Sequence, residues 1–271
     1  MAEGFKMPEP PIIAAGGLGG PFCMYLVTPI RNALTFAAQD ASLSLGGVFA
    51  KVFRNGMSGG WTGGAYPAVA ACPQFLCLGP MYHLYASAAG PMGGIVLAGC
   101  TETAVLYGAE TKNAQMAVNS TGGKIPVNRI QSPFVPYGPG IGINCLRNIL
   151  AMSGMRVINE PISSAISTAT GGSKSGVVTF VSDLTANCCA AAITMPLHML
   201  YQYTAVTHEL WDKTSSEVIA AQRNFLYNQY FPGGRLSSVI VRDLCLRAGY
   251  IATAYTLFSN IERAAVKYWP F

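Results

Sequence analysis

Val27 to Gln39, VTPIRNALTFAAQ, closes the first apolar stretch of this chain, and its layout returns twice. Gly108, 79 residues after Pro29, opens GAETKNAQ, and Pro196, 88 residues further on, opens PLHMLYQ. In each copy a helix breaker is followed by a polar patch at the end of an apolar span. A second apolar span follows, ending in Tyr82-His83, Ile158-Asn159 and Phe258-Ser259 respectively. Ala71, Arg147 and Arg247 each stand eleven residues before those steps, so the second spans share one register. A unit of two spans therefore recurs three times, over about 12–89, 90–165 and 170–265, within a single domain 1–271.

The composition around these stretches points to lipid. The chain is 51% hydrophobic and 11% charged, with a mean hydropathy of +0.35, whereas soluble domains carry roughly 45–50% apolar and about 25% charged residues. Spans of about twenty apolar residues fall at 12–39, 65–87, 91–114, 138–157, 176–206 and 239–261, which predicts an all-α membrane protein with both termini on one side. The first, third and fifth connections hold Lys51, Arg54, Lys112, Lys124, Arg129, Lys213, Arg223 and Arg235, and the others only Lys174. The positive-inside tendency puts those three connections in the more negative compartment. Leu43 to Asn55 and Ser215 to Tyr230 read as amphipathic helices lying on the membrane surface. The third connection, STGGKIPVNRIQSPFVPYGPG, is rich in Gly and Pro and predicts no helix.

This arrangement resembles the mitochondrial carrier family along nearly the whole chain. The family's signature ends each odd helix with Pro-x-acid-x-x-base and a nearby Gln, and the three quoted stretches are its remnants. The resemblance implies six transmembrane helices in three two-helix repeats with pseudo-threefold symmetry, plus short surface helices. It implies a multi-pass protein of the mitochondrial inner membrane among lipids, cardiolipin included. Proline in the lower part of an odd helix is expected to kink it and let the three odd helices converge. Gly108 would kink the second one less firmly.

Several positions depart from a working carrier. The matrix gate of the family pairs the acid of one signature with the base of the next. Its acid positions hold Arg31, Glu110 and His198 here, and its base positions hold Leu34, Asn113 and Tyr201. No acid–base pair of the usual kind survives, although Glu110 can still be drawn beside Arg31 or a protonated His198. The opposite gate is reduced to His83, Asn159 and Ser259, with Ala86, Ile162 and Glu262 at its base positions. Closed states held by so little cannot be balanced against open ones. Arg147 and Arg247 occupy the register of substrate contacts, with Arg242 one to two turns earlier. Arg147 and Arg247 read either as an anion site or as residues that neutralise Asp183 or Glu102, contact lipid headgroups or meet another subunit.

The expected function is therefore that of a carrier-derived accessory subunit of an inner-membrane complex, a respiratory-chain complex or ATP synthase, with gated exchange lost. The alternative is an active carrier for a small anionic metabolite, held by Arg147, Arg242 and Arg247. No nucleic-acid partner is expected at a net charge of +5 without basic runs, and with neither a GxSxG elbow nor a His-Glu-x-x-His pattern no enzyme or cofactor is expected. Gly138 to Gly142 and Gly171 to Ser175 lack the strand context of nucleotide loops. The histidines have no metal-ligand spacing, and the eight cysteines read as small buried thiols without zinc or disulfide pairing. The terminus MAEGFKMPEPPIIAAGG reads as no cleavable signal, so targeting is expected to be internal. Asn119-Ser120-Thr121 matches a glycosylation acceptor by chance.

Overall fold

The computed structural model describes residues 9–269 apart from 155, 156, 158, 170 and 172–175, and apart from the side chains of 76–80, 159 and 160. Ile158, Lys174, most of the Gly171 to Ser175 stretch and the side chains of Cys77 and Asn159 thus lie outside the described residues. Among the described residues every regular element is helical. We number them α1 (Pro10–Leu26), α2 (Thr28–Gln39), α3 (Leu45–Val52), α4 (65–89), α5 (91–120), α6 (Ile141–Ser153), α7 (Asn159–Ala169), α8 (Gly176–Val206), α9 (Ser215–Tyr230) and α10 (Val239–Tyr268).

The breaks follow local chemistry. Val27, just before Pro29, leaves helical geometry at φ −84°, ψ 3°, and α1 meets α2 at 48°. Proline two residues into α2 has no N–H to lose there. By contrast α8 runs unbroken through Pro196. Gly108 is also helical and marks a close approach: a Cβ on it would sit 2.7 Å from the carbonyl oxygens of Ser132, Pro133 and Val135. The third connection thus lies flat against α5, held there by Gln131 N–H donating to Gln115 Oε1 at 2.6 Å and Tyr107 O–H donating to the Pro139 carbonyl at 2.8 Å. Asn119 is clasped in the same connection, donating to the Ile125 carbonyl at 2.8 Å and accepting from its N–H at 3.0 Å. Between α4 and α5 the turn is Gly90 at φ 75°, ψ 170°, a region that costs glycine nothing. The following Pro91 also bars Gly90 from the α region.

α3 and α9 form where the amphipathic patterns predict them. Ser44 Oγ caps α3 by accepting from Gly47 N–H at 3.1 Å. At α9, Thr214 N–H donates to Glu217 Oε2 at 2.9 Å, which satisfies a donor the helix leaves free.

Packing is sequential and closes on itself. α1 lies against α4, α5 against α6, α6 and α7 against α8, and α8 against α10, which returns to α1 and α2. The main apolar core joins Met24, Leu34 and Phe36 of the first segment to Met195, Met199, Leu246 and Tyr250. α2, α5 and α8 also touch one another. Two helical stretches, Met81–Ser120 and Gly176–Val206, are long and apolar enough to cross a membrane, and the bent α1–α2 pair is a third if counted as one span. The sequence predicts six. α10 carries Arg242, Asp243 and Arg247 within two turns, all buried, which lowers its hydropathy. By length and composition these helices suggest a membrane protein.

Candidate functional site

Five helices bring polar side chains to one buried cluster. Glu110 on α5 is the centre: its Oε2 accepts from Arg147 Nη2 of α6 at 3.0 Å, and its Oε1 stands 3.9 Å from Arg31 Nη2 of α2. Arg31 also donates to the Tyr250 hydroxyl of α10 and lies 5.1 Å from that ring's centroid. Arg147 turns its remaining donors to Asn148 Oδ1, at 2.7 and 3.0 Å, and to His198 Nδ1 on α8, at 3.0 Å. Its guanidinium lies 5.3 Å from the centroid of Tyr201. Asn148 in turn donates to Thr103 Oγ1 of α5 at 3.0 Å.

The chemistry fixes the histidine. Arginine has donors only, so His198 Nδ1 accepts and the imidazole is neutral with its proton on Nε2. The Gln202 amide lies 3.5 Å from Nε2 and 2.9 Å from Thr35 Oγ1. Its oxygen must then face the imidazole and its nitrogen the hydroxyl, an orientation the amide is free to take. Thr35 Oγ1 passes its own proton to the Arg31 carbonyl at 3.3 Å.

Of the matrix-gate positions, Arg31 and Glu110 are thus close together, with His198 joined to Glu110 through Arg147. Leu34 is wholly buried in the apolar core. Asn113 donates to Asn32 Oδ1 at 3.1 Å and the Thr62 carbonyl at 2.8 Å, and Tyr201 shares a 2.8 Å hydrogen bond with Thr111. Gln115 Nε2 donates to the Ala205 carbonyl at 3.0 Å. Neutral bonds therefore tie α5 to α2 and to α8 beside the Arg31–Glu110 contact. Lys112 points away, 4.2 Å from the centroid of Tyr66.

The three arginines read as substrate contacts have separate surroundings. Arg242 is spent on the chain itself: it pairs with Asp243 at 2.8 Å and donates to the carbonyls of Ala37, Asp40 and Leu43 at 3.0, 3.1 and 2.6 Å. It closes the C-terminal end of α2. Asp243 has no exposed surface and accepts from Gln229 and Tyr230, each at 3.0 Å. Arg147 is bound as described above. Arg247, 2% exposed, has one weak bond, to Thr194 Oγ1 at 3.4 Å, and its Nε and Nη1 have no hydrogen-bond partner among the described residues.

Neither carboxylate suggested as a neutraliser is in contact with Arg147 or Arg247. Asp183 pairs with Arg263, and Glu102 accepts from Gln74 Nε2 at 2.7 Å with Oε2 unpartnered. Asn148, Thr103 and Tyr250 were not singled out in the sequence. Tyr250 stands one helical turn from Arg247 on the same face, a signal that spacing carries. At the opposite gate His83 is exposed, edge-on to Tyr82 at 5.3 Å.

No three of the described His, Cys, Asp and Glu side chains converge as metal ligands. Nor are the cysteines uniformly buried: Cys23 is, whereas Cys100 and Cys245 are exposed. An apolar helix in lipid has no need to hide a thiol, so hydrophobic surroundings in the sequence did not mean burial in the protein. Compared with protein-family models and with curated proteins, the chain matches none.

Proposed function

We propose that this chain is a six-span protein of the mitochondrial carrier architecture, in three two-helix repeats, that resides in the mitochondrial inner membrane and no longer performs gated exchange. It serves there as an accessory subunit of a larger assembly, a respiratory-chain complex or ATP synthase. One observation carries the reading: Glu110 is bonded to Arg147, so a gate position and a cavity position are locked together. A gate works by holding one state more firmly than another. A buried pair that joins those two positions, flanked by neutral bonds, favours a single resting arrangement. Helices with exposed apolar faces, among them Val69, Met92 and Val241, suit packing against lipid and partner subunits. The groove of about 530 Å³ beside Gly140, Ile141, Trp211 and Ser215 joins the starts of α6 and α9, and the N-terminus of α6, which has no side-chain cap, suits a lipid phosphate such as that of cardiolipin. Enzymatic catalysis has no part in this reading.

Mild solubilisation of the membranes, a native gel and mass spectrometry test the proposal. Stoichiometric migration with a respiratory complex or ATP synthase supports it. Migration as a lone 28.6 kDa chain in its detergent shell defeats it. A second reading, an active carrier for a small anion, is favoured by Arg247 and Arg31, because each is a buried guanidinium whose Nε and Nη1 have no hydrogen-bond partner among the described residues and would be satisfied by an anionic ligand. Saturable exchange in proteoliposomes that Arg247→Met abolishes would establish it.

A further inference from the structure

The Sγ atoms of Cys100 on α5 and Cys145 on α6 stand 3.5 Å apart. Cys100 is exposed and Cys145 half-buried, so the pair is open to a small reagent from the outer face of the helices. The helices touch closely here: a Cβ on Gly99 would lie 2.8 Å from Ile149 Cγ1 and 2.9 Å from its backbone N and Cα. On the inner face, the Asn148 to Thr103 hydrogen bond at 3.0 Å and the Arg147 to Glu110 pair at 3.0 Å hold the same two helices in register. The thiols are therefore held beside each other by the fold.

We infer that Cys100 and Cys145 form an oxidisable dithiol that closes into a disulfide under peroxide and staples α5 to α6. Cys100 is the more exposed and reacts first. Its sulfur attacks one peroxide oxygen, the O–O bond breaks, and the thiol proton leaves with the departing hydroxide as water, giving a sulfenic acid. Cys145 Sγ then attacks that sulfur, the S–O bond breaks, and a second water leaves with the Cys145 proton. Two thiols are oxidised and one peroxide is reduced to two waters. Bringing the sulfurs from van der Waals contact to the roughly 2.05 Å of a bond needs a small closing movement across an already tight helix contact.

The test uses the full chain in detergent micelles. After hydrogen peroxide treatment and alkylation of remaining thiols, a non-reducing peptide map is expected to show the Cys100 and Cys145 peptides linked, with two hydrogens lost. The exposed Cys245 is expected to form no link. Phenylarsine oxide, which binds two adjacent thiols at once, is expected to be captured by the reduced protein and lost from it on oxidation. Capture should also fall in Cys100→Ser and Cys145→Ser. Cys100 driven to sulfinic acid while Cys145 stays alkylatable would overturn the inference. So would a link between two chains on a non-reducing gel, or both thiols remaining free. The unsubstituted protein alone decides the matter if either variant misfolds.

Discussion

Arg147 Nη2 and Glu110 Oε2 meet at 3.0 Å, with both side chains about 95% withdrawn from the surface, so the acid that would close a gate holds the arginine that would meet a solute. Removing one member leaves the other charge buried and uncompensated, at a cost of about 3–5 kcal/mol. Glu110→Gln is expected to lower stability by that amount in detergent, read by thermal unfolding. Pairing it with Arg147→Met should recover most of the loss. Strictly additive losses would show the two side chains to be uncoupled.

Arg242 and Arg247 should respond in opposite directions. Arg242→Met strips three carbonyls of a donor and leaves Asp243 without its cation, again a loss of about 3–5 kcal/mol. Arg247→Met removes a buried charge whose Nε and Nη1 are unpartnered, so stability should hold or rise. Similar melting shifts in the two variants would contradict these separate roles.

Glycine substitutions separate close approach from open helix. Gly108→Ala pushes a methyl into three carbonyl oxygens at 2.7 Å and is expected to cost roughly 1–3 kcal/mol. Protease cleavage within 121–140 should quicken as that connection lifts from α5. Gly46→Ala in α3 meets nothing within 4 Å and should stabilise by up to about 1 kcal/mol. An unchanged cleavage rate in the Gly108 variant would count against the close contact.

Asp40, past the end of α2, sets an acid limit on that corner. Its Oδ1 accepts from the Ser42 hydroxyl at 2.6 Å and the Ser42 N–H at 2.9 Å, and these bonds hold its carboxyl below the ordinary 3.8. A depressed folded value adds stability above the unfolded one and loses it as pH falls through the folded one. The melting temperature should therefore drop on acidification below about 3.8, and Asp40→Asn should flatten that part of the profile. An identical acid limb in the variant would remove Asp40 as its cause.

Hydropathy and breakers made much of the helical layout legible. The span expected at 176–206 is α8, the surface helix expected at Ser215 to Tyr230 is α9, and Pro29 sits at the bend between α1 and α2. These features are local: they depend on a run of side chains and on whether a residue has an N–H or a Cβ. Partnership was not legible, because a guanidinium reads alike whether it meets a carboxylate, a helix end or nothing. Only the tertiary structure gave Arg147 to Glu110, Arg242 to the end of α2, and left Arg247 with two empty donors. It also placed Cys100 beside Cys145 across 45 residues of chain, since helix packing brings together groups whose separation in sequence carries no record of their distance in space.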